Sequence, residues 1–153
     1  MAVEHKVASR RGLSSRAMET PEEAAAAVGA AMFARDRASQ ALGMTLEEVL
    51  RGYARLRMTV RADMLNGHGT CHGGLVFALA DSAFAFACNS RGVLTVAAGC
   101  SIEFLAPARK GDELVAEARE RSLQGRTGVY DVDVTRAGGD LVATFRGRSA
   151  VPR

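Results

Sequence analysis

Between Met64 and Ser90 the chain carries a single Asp, Glu, Lys or Arg, and that residue is Asp81. The stretch opens with the glycines and histidines of NGHGTCHGG, which do not sustain a stable helix, and continues into LVFALADSAFAFAC, which does. This second half is apolar on nearly every face. It predicts a helix buried on all sides, and such a helix needs a sheet to wrap it. A membrane span is not expected, because Asp81 interrupts the run and the Leu75 to Cys88 segment falls short of the roughly 20 residues that cross a bilayer.

The rest of the chain supplies the sheet. Thr20, Pro21 and Glu23 have the form of a capping box with proline at the first helical position, opening a helix that runs through AAAAVGAAMFARDRASQAL to a stop at Gly43. MTLEEVL and YARLRMTV read as strands joined at Arg51-Gly52, the second with Ala54, Leu56, Met58 and Val60 on one face. After a turn at Asn89 to Gly92, VLTVAAGCSIEFL runs towards Pro107. DELVAEARERSL and TGVYDVDVTR alternate, with Tyr130, Val132 and Val134 inward, and Gly138-Gly139 turns the chain into LVATFRGRSA. The order predicts an α+β domain over residues 21–153: a mostly antiparallel curved sheet of about five to six strands around one long buried helix, the hotdog architecture. Residues 1–20 lack the apolar segment of a secretory signal and are expected to be a disordered tail. A long open sheet edge is a liability for a lone protomer, so a homo-oligomer is expected.

Composition narrows the function classes. A chain of 153 residues has room for one domain, and 48% hydrophobic with 24% charged residues is ordinary for a globular protein, excluding collagen-like, coiled-coil and disordered chains. The net charge of +3 names no partner. Its arginines are scattered, and two Tyr with no Trp make no stacking platform, so nucleic acid is not an expected partner. An odd set of cysteines, Cys71, Cys88 and Cys100, in a chain that needs no staples points to reduced thiols and a cytoplasmic location.

Asp81 is the leading chemical candidate. Burying a carboxylate with no basic residue nearby in sequence is costly, and a carboxylate retained in such a place fits a general base or nucleophile better than a structural role. Gly73 and Gly74 stand where the buried helix begins, so their N–H groups and the positive end of the helix dipole form a ready oxyanion hole for acyl transfer. Asp81 lies eight residues past Gly73. At about 1.5 Å per residue they stand about 12 Å apart, too far to act on one carbonyl. A two-fold dimer with antiparallel helices would join Asp81 of one chain to Gly73 of the other, making two composite sites. His68 and His72 lack both a helix and a third ligand, so no metal is expected. Cys71 beside His72 has no orienting acid to make it a nucleophile. Asn66 and His72 serve as hydrogen-bond donors or hold the loop.

The segment MLNGHGTCHGGLVFALADSAFAFACNSRG closely resembles the signature of the PaaI-like acyl-CoA thioesterases of the hotdog superfamily. The resemblance runs from about Ala31 to Arg148, through SIEFLAP, QGRTGVYDVDV and ATFRGRS, and leaves residues 1–20 outside. It implies hydrolysis of acyl-CoA thioesters to free acid and coenzyme A, in the branch tied to phenylacetate catabolism, with phenylacetyl-CoA or hydroxyphenylacetyl-CoA as substrate. Coenzyme A is then part of the substrate, and no cofactor is implied. The family's acidic residue falls on Asp81, its carbonyl-polarising glycine on Gly73, its histidine on His72 and its amide on Asn66. The resemblance also implies dimers that pair into tetramers, with active sites at the dimer interface. The CoA nucleotide would lie on the surface near Arg126, Thr127, Gly128, Arg146 and Arg148. Gly74 and Ser82 are expected as further substrate contacts. Where some relatives place a hydroxyl after the buried helix this chain has Ala97, which leaves Ser82 or Ser101 as substitutes. A non-catalytic acyl-CoA binding or sensing protein is the alternative, and Asp81 fits it poorly. A hydratase would want a paired Asp and His on a helix, which the chain lacks.

Overall fold

The computed structural model describes residues 19–153. The expected tail therefore lies outside the described residues except for Glu19 and Thr20. Thr20 caps helix α1 (Pro21–Phe33): its Oγ1 accepts the Glu23 N–H at 3.1 Å, and Glu23 returns the bond to the Thr20 N–H at 2.8 Å. The helix does not continue to Gly43 as the sequence suggested. It ends at Phe33, and a short α2 (Arg37–Ala41) restarts after Asp36, whose carboxylate accepts the Ser39 N–H at 2.9 Å. An Asp mid-helix offers the backbone a competing local bond, and here it starts a new cap.

Six strands follow in one sheet: β1 (Thr45–Leu50), β2 (Tyr53–Thr59), β3 (Val96–Phe104), β4 (Glu113–Gln124), β5 (Thr127–Arg136) and β6 (Leu141–Ala150), in the order β1-β2-β4-β5-β6-β3. Every pairing is antiparallel. The hairpin turn at Gly52 needs its positive φ of 72°, a conformation open to glycine. Alternation along the strands separates two faces: Leu56, Met58, Leu114, Ala116, Tyr130, Val132, Val134 and Phe145 point inward and are buried. Across that face lies α3 (Gly73–Asn89), whose Val76, Leu79, Ala80, Ala83, Phe84 and Ala87 complete the core. This is the hotdog arrangement that the sequence pattern predicted.

The fit of α3 to the sheet depends on a glycine. The Phe84 ring packs against Tyr130 and Phe145 at centroid distances of 5.5 and 5.8 Å, above Gly147 of β6. A Cβ at Gly147 would sit 2.8 Å from that ring. The C-terminal end of α3 is tied down separately. Ser90 Oγ accepts the Gly52 N–H at 2.8 Å, and Arg91 pairs with Glu120, which also accepts the Tyr130 hydroxyl at 2.9 Å.

One expectation needs correction: α3 is not buried on all sides. Its flank with Phe77, Ala78, Asp81 and Ala85 is only partly covered, because β3 is the last strand of the sheet and has one edge unpaired. Along β3 every residue but Ile102 is exposed, Val96 and Phe104 by 46% and 55%. Substituting Gly147→Ala is expected to cost about 1–3 kcal/mol by overpacking the Phe84 contact. Denaturant unfolding measures it, and a stability equal to wild type would refute this account of the helix–sheet fit.

Candidate active site

The loop before α3 is built by Asn66. Its Oδ1 accepts the backbone N–H groups of His68 at 2.9 Å and Thr70 at 3.2 Å, while Nδ2 donates to Thr70 Oγ1 at 3.1 Å. His72 then caps the helix: its N–H donates to Met64 O at 2.8 Å, and its Nδ1 accepts the Gly74 N–H at 2.9 Å. A neutral His72 with Nδ1 as acceptor carries its proton on Nε2. The carbonyl of His72 accepts from Leu75 and Val76. Gly73 alone in this first turn has an N–H with no acceptor among the described residues. The oxyanion donor expected from both glycines is therefore narrowed to Gly73, because the His72 ring has claimed Gly74.

Asp81 sits two turns further along α3, half-buried and, among the described residues, without an ion pair. Burial pushes its carboxyl above the usual carboxylate range, and no cation offsets the shift. The Cys100 thiol of β3 reaches it, with Sγ 4.0 Å from Oδ1. Cys100, Ile102 and Phe104 pair with the inward-facing Gly147, Phe145 and Ala143, so all three face α3. Phe104 lies over Gly73, where an added Cβ would meet the ring at 3.0 Å. The strand thus runs antiparallel to the helix, with Cys100 beside Asp81 and Phe104 beside Gly73. Four residues of strand advance about 13 Å and eight of helix about 12 Å, so the two scales agree. Asp81 and Gly73 occupy opposite ends of one seam.

Other sequence candidates lie elsewhere. The Ser82 hydroxyl faces α2 and meets Ser39 Oγ at 3.0 Å, while Ser101 is exposed on the outer side of β3 opposite Arg146, so neither hydroxyl joins Asp81 on the seam. Ala97 faces inward opposite Ser149. Gly128 is buried against Ser149 and Tyr130, each 2.8 Å from the position of an added Cβ, which makes it a packing residue and not the surface contact expected. The Thr127 hydroxyl donates to Gln124 O at 3.2 Å. Arg126 binds the carbonyls of Val151 and Pro152, Arg146 grips Asp131 through two bonds of 2.6 and 2.9 Å, and Arg148 reaches Ala98 O at 3.4 Å. These arginines line the turn and outer sheet face, away from Asp81. A hollow of about 440 Å³ on that outer face is lined by charges such as Arg119, Asp131 and Arg146 and includes no residue of α3. The Cys71 thiol is buried and its pKa is raised, which leaves it a poor nucleophile. Among the described residues no three His, Cys, Asp or Glu side chains are placed to share a metal ion. Sequence reading missed Cys100 and Phe104; the signal was present in the alternation of CSIEF, obscured by the apolar run around it.

Residues 68–143 match the family model described as the thioesterase superfamily. The chain is 48% identical over 119 residues to the acyl-coenzyme A thioesterase PaaI of Escherichia coli K12, covering 78% of this chain and 85% of that protein. Its structure matches that of the E. coli PaaI protein from the phenylacetic acid degradation operon with a TM-score of 0.86 and 43% identity, over 88% of this chain and 97% of the other. A Streptococcus mutans UA159 protein solved with acetyl-CoA matches with a TM-score of 0.69 and 28% identity, over 71% and 88%.

The state of Asp81 has a stability consequence. A raised folded-state pKa means that the charged carboxylate destabilises the fold above that value, and the penalty vanishes as pH falls below the ordinary carboxylate range, where both states are protonated. Asp81→Asn is therefore expected to raise Tm at pH 7 and to lose that advantage in acid. Thermal melts across this range check it, and an Asn variant less stable than wild type at neutral pH would contradict the unpaired buried charge.

Proposed function

The chain belongs to the thioesterase superfamily, and from that membership we propose that it hydrolyses aryl acyl-CoA thioesters, such as phenylacetyl-CoA or hydroxyphenylacetyl-CoA, to free acid and coenzyme A in phenylacetate catabolism. The observation that carries this reading is the pairing of an uncompensated Asp81 carboxylate with an unclaimed Gly73 N–H on one seam. The Gly73 N–H, at the positive end of α3, donates to the thioester carbonyl and holds the negative charge that develops on its oxygen. Asp81 supplies the attack. A carboxylate that burial has made more basic either takes a proton from water, whose oxygen then bonds the carbonyl carbon, or attacks that carbon itself to give an acyl–Asp81 anhydride that water then hydrolyses to the free acid; in both routes the C–S bond breaks, and the CoA thiolate leaves and takes up the proton that the water gave. His72 and Asn66 hold the Gly73 loop. Coenzyme A enters as part of the substrate, with its nucleotide placed on the surface near Arg126, Thr127, Arg146 and Arg148, and no separate cofactor is required.

The separation of about 12 Å makes two chains necessary. A two-fold axis midway along the seam, by Phe77 and Ile102, reverses it end for end and brings Asp81 of one chain to Gly73 of the other. The same operation pairs the free β3 edges. We assign the protein this dimer, pairing further into a tetramer, and a cytoplasmic setting consistent with its three free thiols. No helix of the described residues is long and apolar enough to cross a membrane.

Release of CoA thiol, followed with a thiol-reactive dye on phenylacetyl-CoA, hydroxyphenylacetyl-CoA, benzoyl-CoA and straight-chain acyl-CoAs, tests the activity. The aryl members are expected to react fastest, and Asp81→Asn to lower kcat/KM by about 10²–10⁴-fold. The wild-type rate should fall with decreasing pH at a value above the ordinary carboxylate range. A folded protein that binds acyl-CoA and releases no thiol would instead be a binding protein.

A further inference from the structure

A small groove opens at Gly73, the residue whose N–H has no acceptor among the described residues. It has a volume of about 280 Å³ and lies between Gly73 and Val76 of α3 on one side and Phe104, Pro107 and Val142 on the other. Phe104 is 55% exposed, unusual for a ring that size, and its ring stands over the Cα of Gly73. A carbonyl oxygen accepting from Gly73 sits about 2.9 Å from the nitrogen, so whichever substituent of the carbonyl carbon turns this way enters the groove at once.

The chemistry of the walls selects between the acyl group and the pantetheine arm. Backbone groups that could serve a pantetheine amide are already engaged: Cys71 N–H donates to Ala108 O at 2.8 Å, Leu105 and Ala106 N–H to Val142 O at 2.9 and 3.2 Å, and Arg136 Nη2 donates to Pro107 O at 2.7 Å. An amide moved here from water would lose hydrogen bonds and find few in return. A phenyl or alkyl group has none to lose. Against an aromatic wall, a phenyl ring gains an offset or edge contact that a short alkyl chain does not make.

We propose that this groove is the acyl subsite, and that Phe104 is the specificity-determining wall that favours aryl over short alkyl groups. The proposal deepens the acyl-CoA thioesterase reading and rests on it. A volume of about 280 Å³ holds a single ring. Phe104 touches substrate without taking part in bond making, so its loss changes discrimination more than the chemistry.

The test compares wild type, Phe104→Leu and Phe104→Ala on phenylacetyl-CoA and acetyl-CoA, and on the matching N-acetylcysteamine thioesters, which lack the nucleotide and most of the pantetheine arm. Phe104→Ala is expected to lower kcat/KM for phenylacetyl-CoA at least about tenfold more than for acetyl-CoA, with Phe104→Leu between, and to show the same bias on the truncated thioesters. An equal loss on both acyl groups that disappears with N-acetylcysteamine would place the pantetheine arm in the groove and overturn the proposal. Unchanged selectivity in both variants, with melting temperatures near wild type, would also overturn it. A wild type silent on all four thioesters would remove the thioesterase reading itself and the subsite with it.

Discussion

Packing of α3 across the inner face of the sheet is the contact on which the rest of the molecule depends. The depth of that packing is set where Phe84 meets Gly147, since a side chain there would lift the helix from β6. Helix depth in turn fixes two functional positions: the Gly73 N–H under the Phe104 ring and the Asp81 carboxylate beside Cys100. The tie from Ser90 to Gly52 and the Arg91–Glu120–Tyr130 group hold the far end of the helix against β4 and β5. Burial of apolar side chains at about 25 cal/mol per Å² drives this packing, and it is strong enough to carry a carboxylate into a site that the carboxylate alone would avoid.

Among the described residues the Asp81 carboxylate has no ion pair and the Gly73 N–H no acceptor; the buried Ser149 hydroxyl is likewise without a partner, away from the seam's two ends. Asn66 and His72 engage the N–H groups of His68, Thr70 and Gly74, and many charged side chains on the outer sheet face have found a partner, as Arg146 has in Asp131. Asp81 and the Gly73 N–H stand apart from this pattern, and they carry opposite polarity. A group that accepts or attacks at one end of the seam and a donor at the other are the two requirements of acyl transfer. Their separation explains why the unpaired β3 edge belongs to the same functional account: the surface that leaves the protomer unfinished is also the one that completes the site.

Much of this was legible in the sequence, for physical reasons that differ by element. The capping box at Thr20, the hairpin glycine at Gly52 and the alternation in β2 and β5 are local signals, and local energetics realised them. The isolation of Asp81 within an apolar run was visible because charge is sparse there. What escaped was decided by partners distant in sequence or by competing local bonds. Asp36 broke a helix that alanine content favoured; the His72 ring took the Gly74 N–H; Ser82 turned to Ser39 on another helix. Arg146 was expected beside the CoA nucleotide, and an Asp on the neighbouring strand holds it. Cys100 and Phe104 gained their meaning from the strand–helix seam, which requires knowing that β3 runs antiparallel to α3.

The central claim, that each site takes Asp81 from one chain and Gly73 from another, is tested most directly by mixing two inactive variants. Gly73→Pro removes the N–H while leaving a residue favoured at the first helical position, and the extended backbone of His72 (φ −59°, ψ 130°) already suits a following proline. Co-refolded one to one with Asp81→Asn, half the dimers are mixed, and each of these holds one intact site of two. The account predicts about a quarter of wild-type thioesterase activity from parents that have almost none. Mixed dimers proven by differential tags, with activity no greater than the parents, would contradict it.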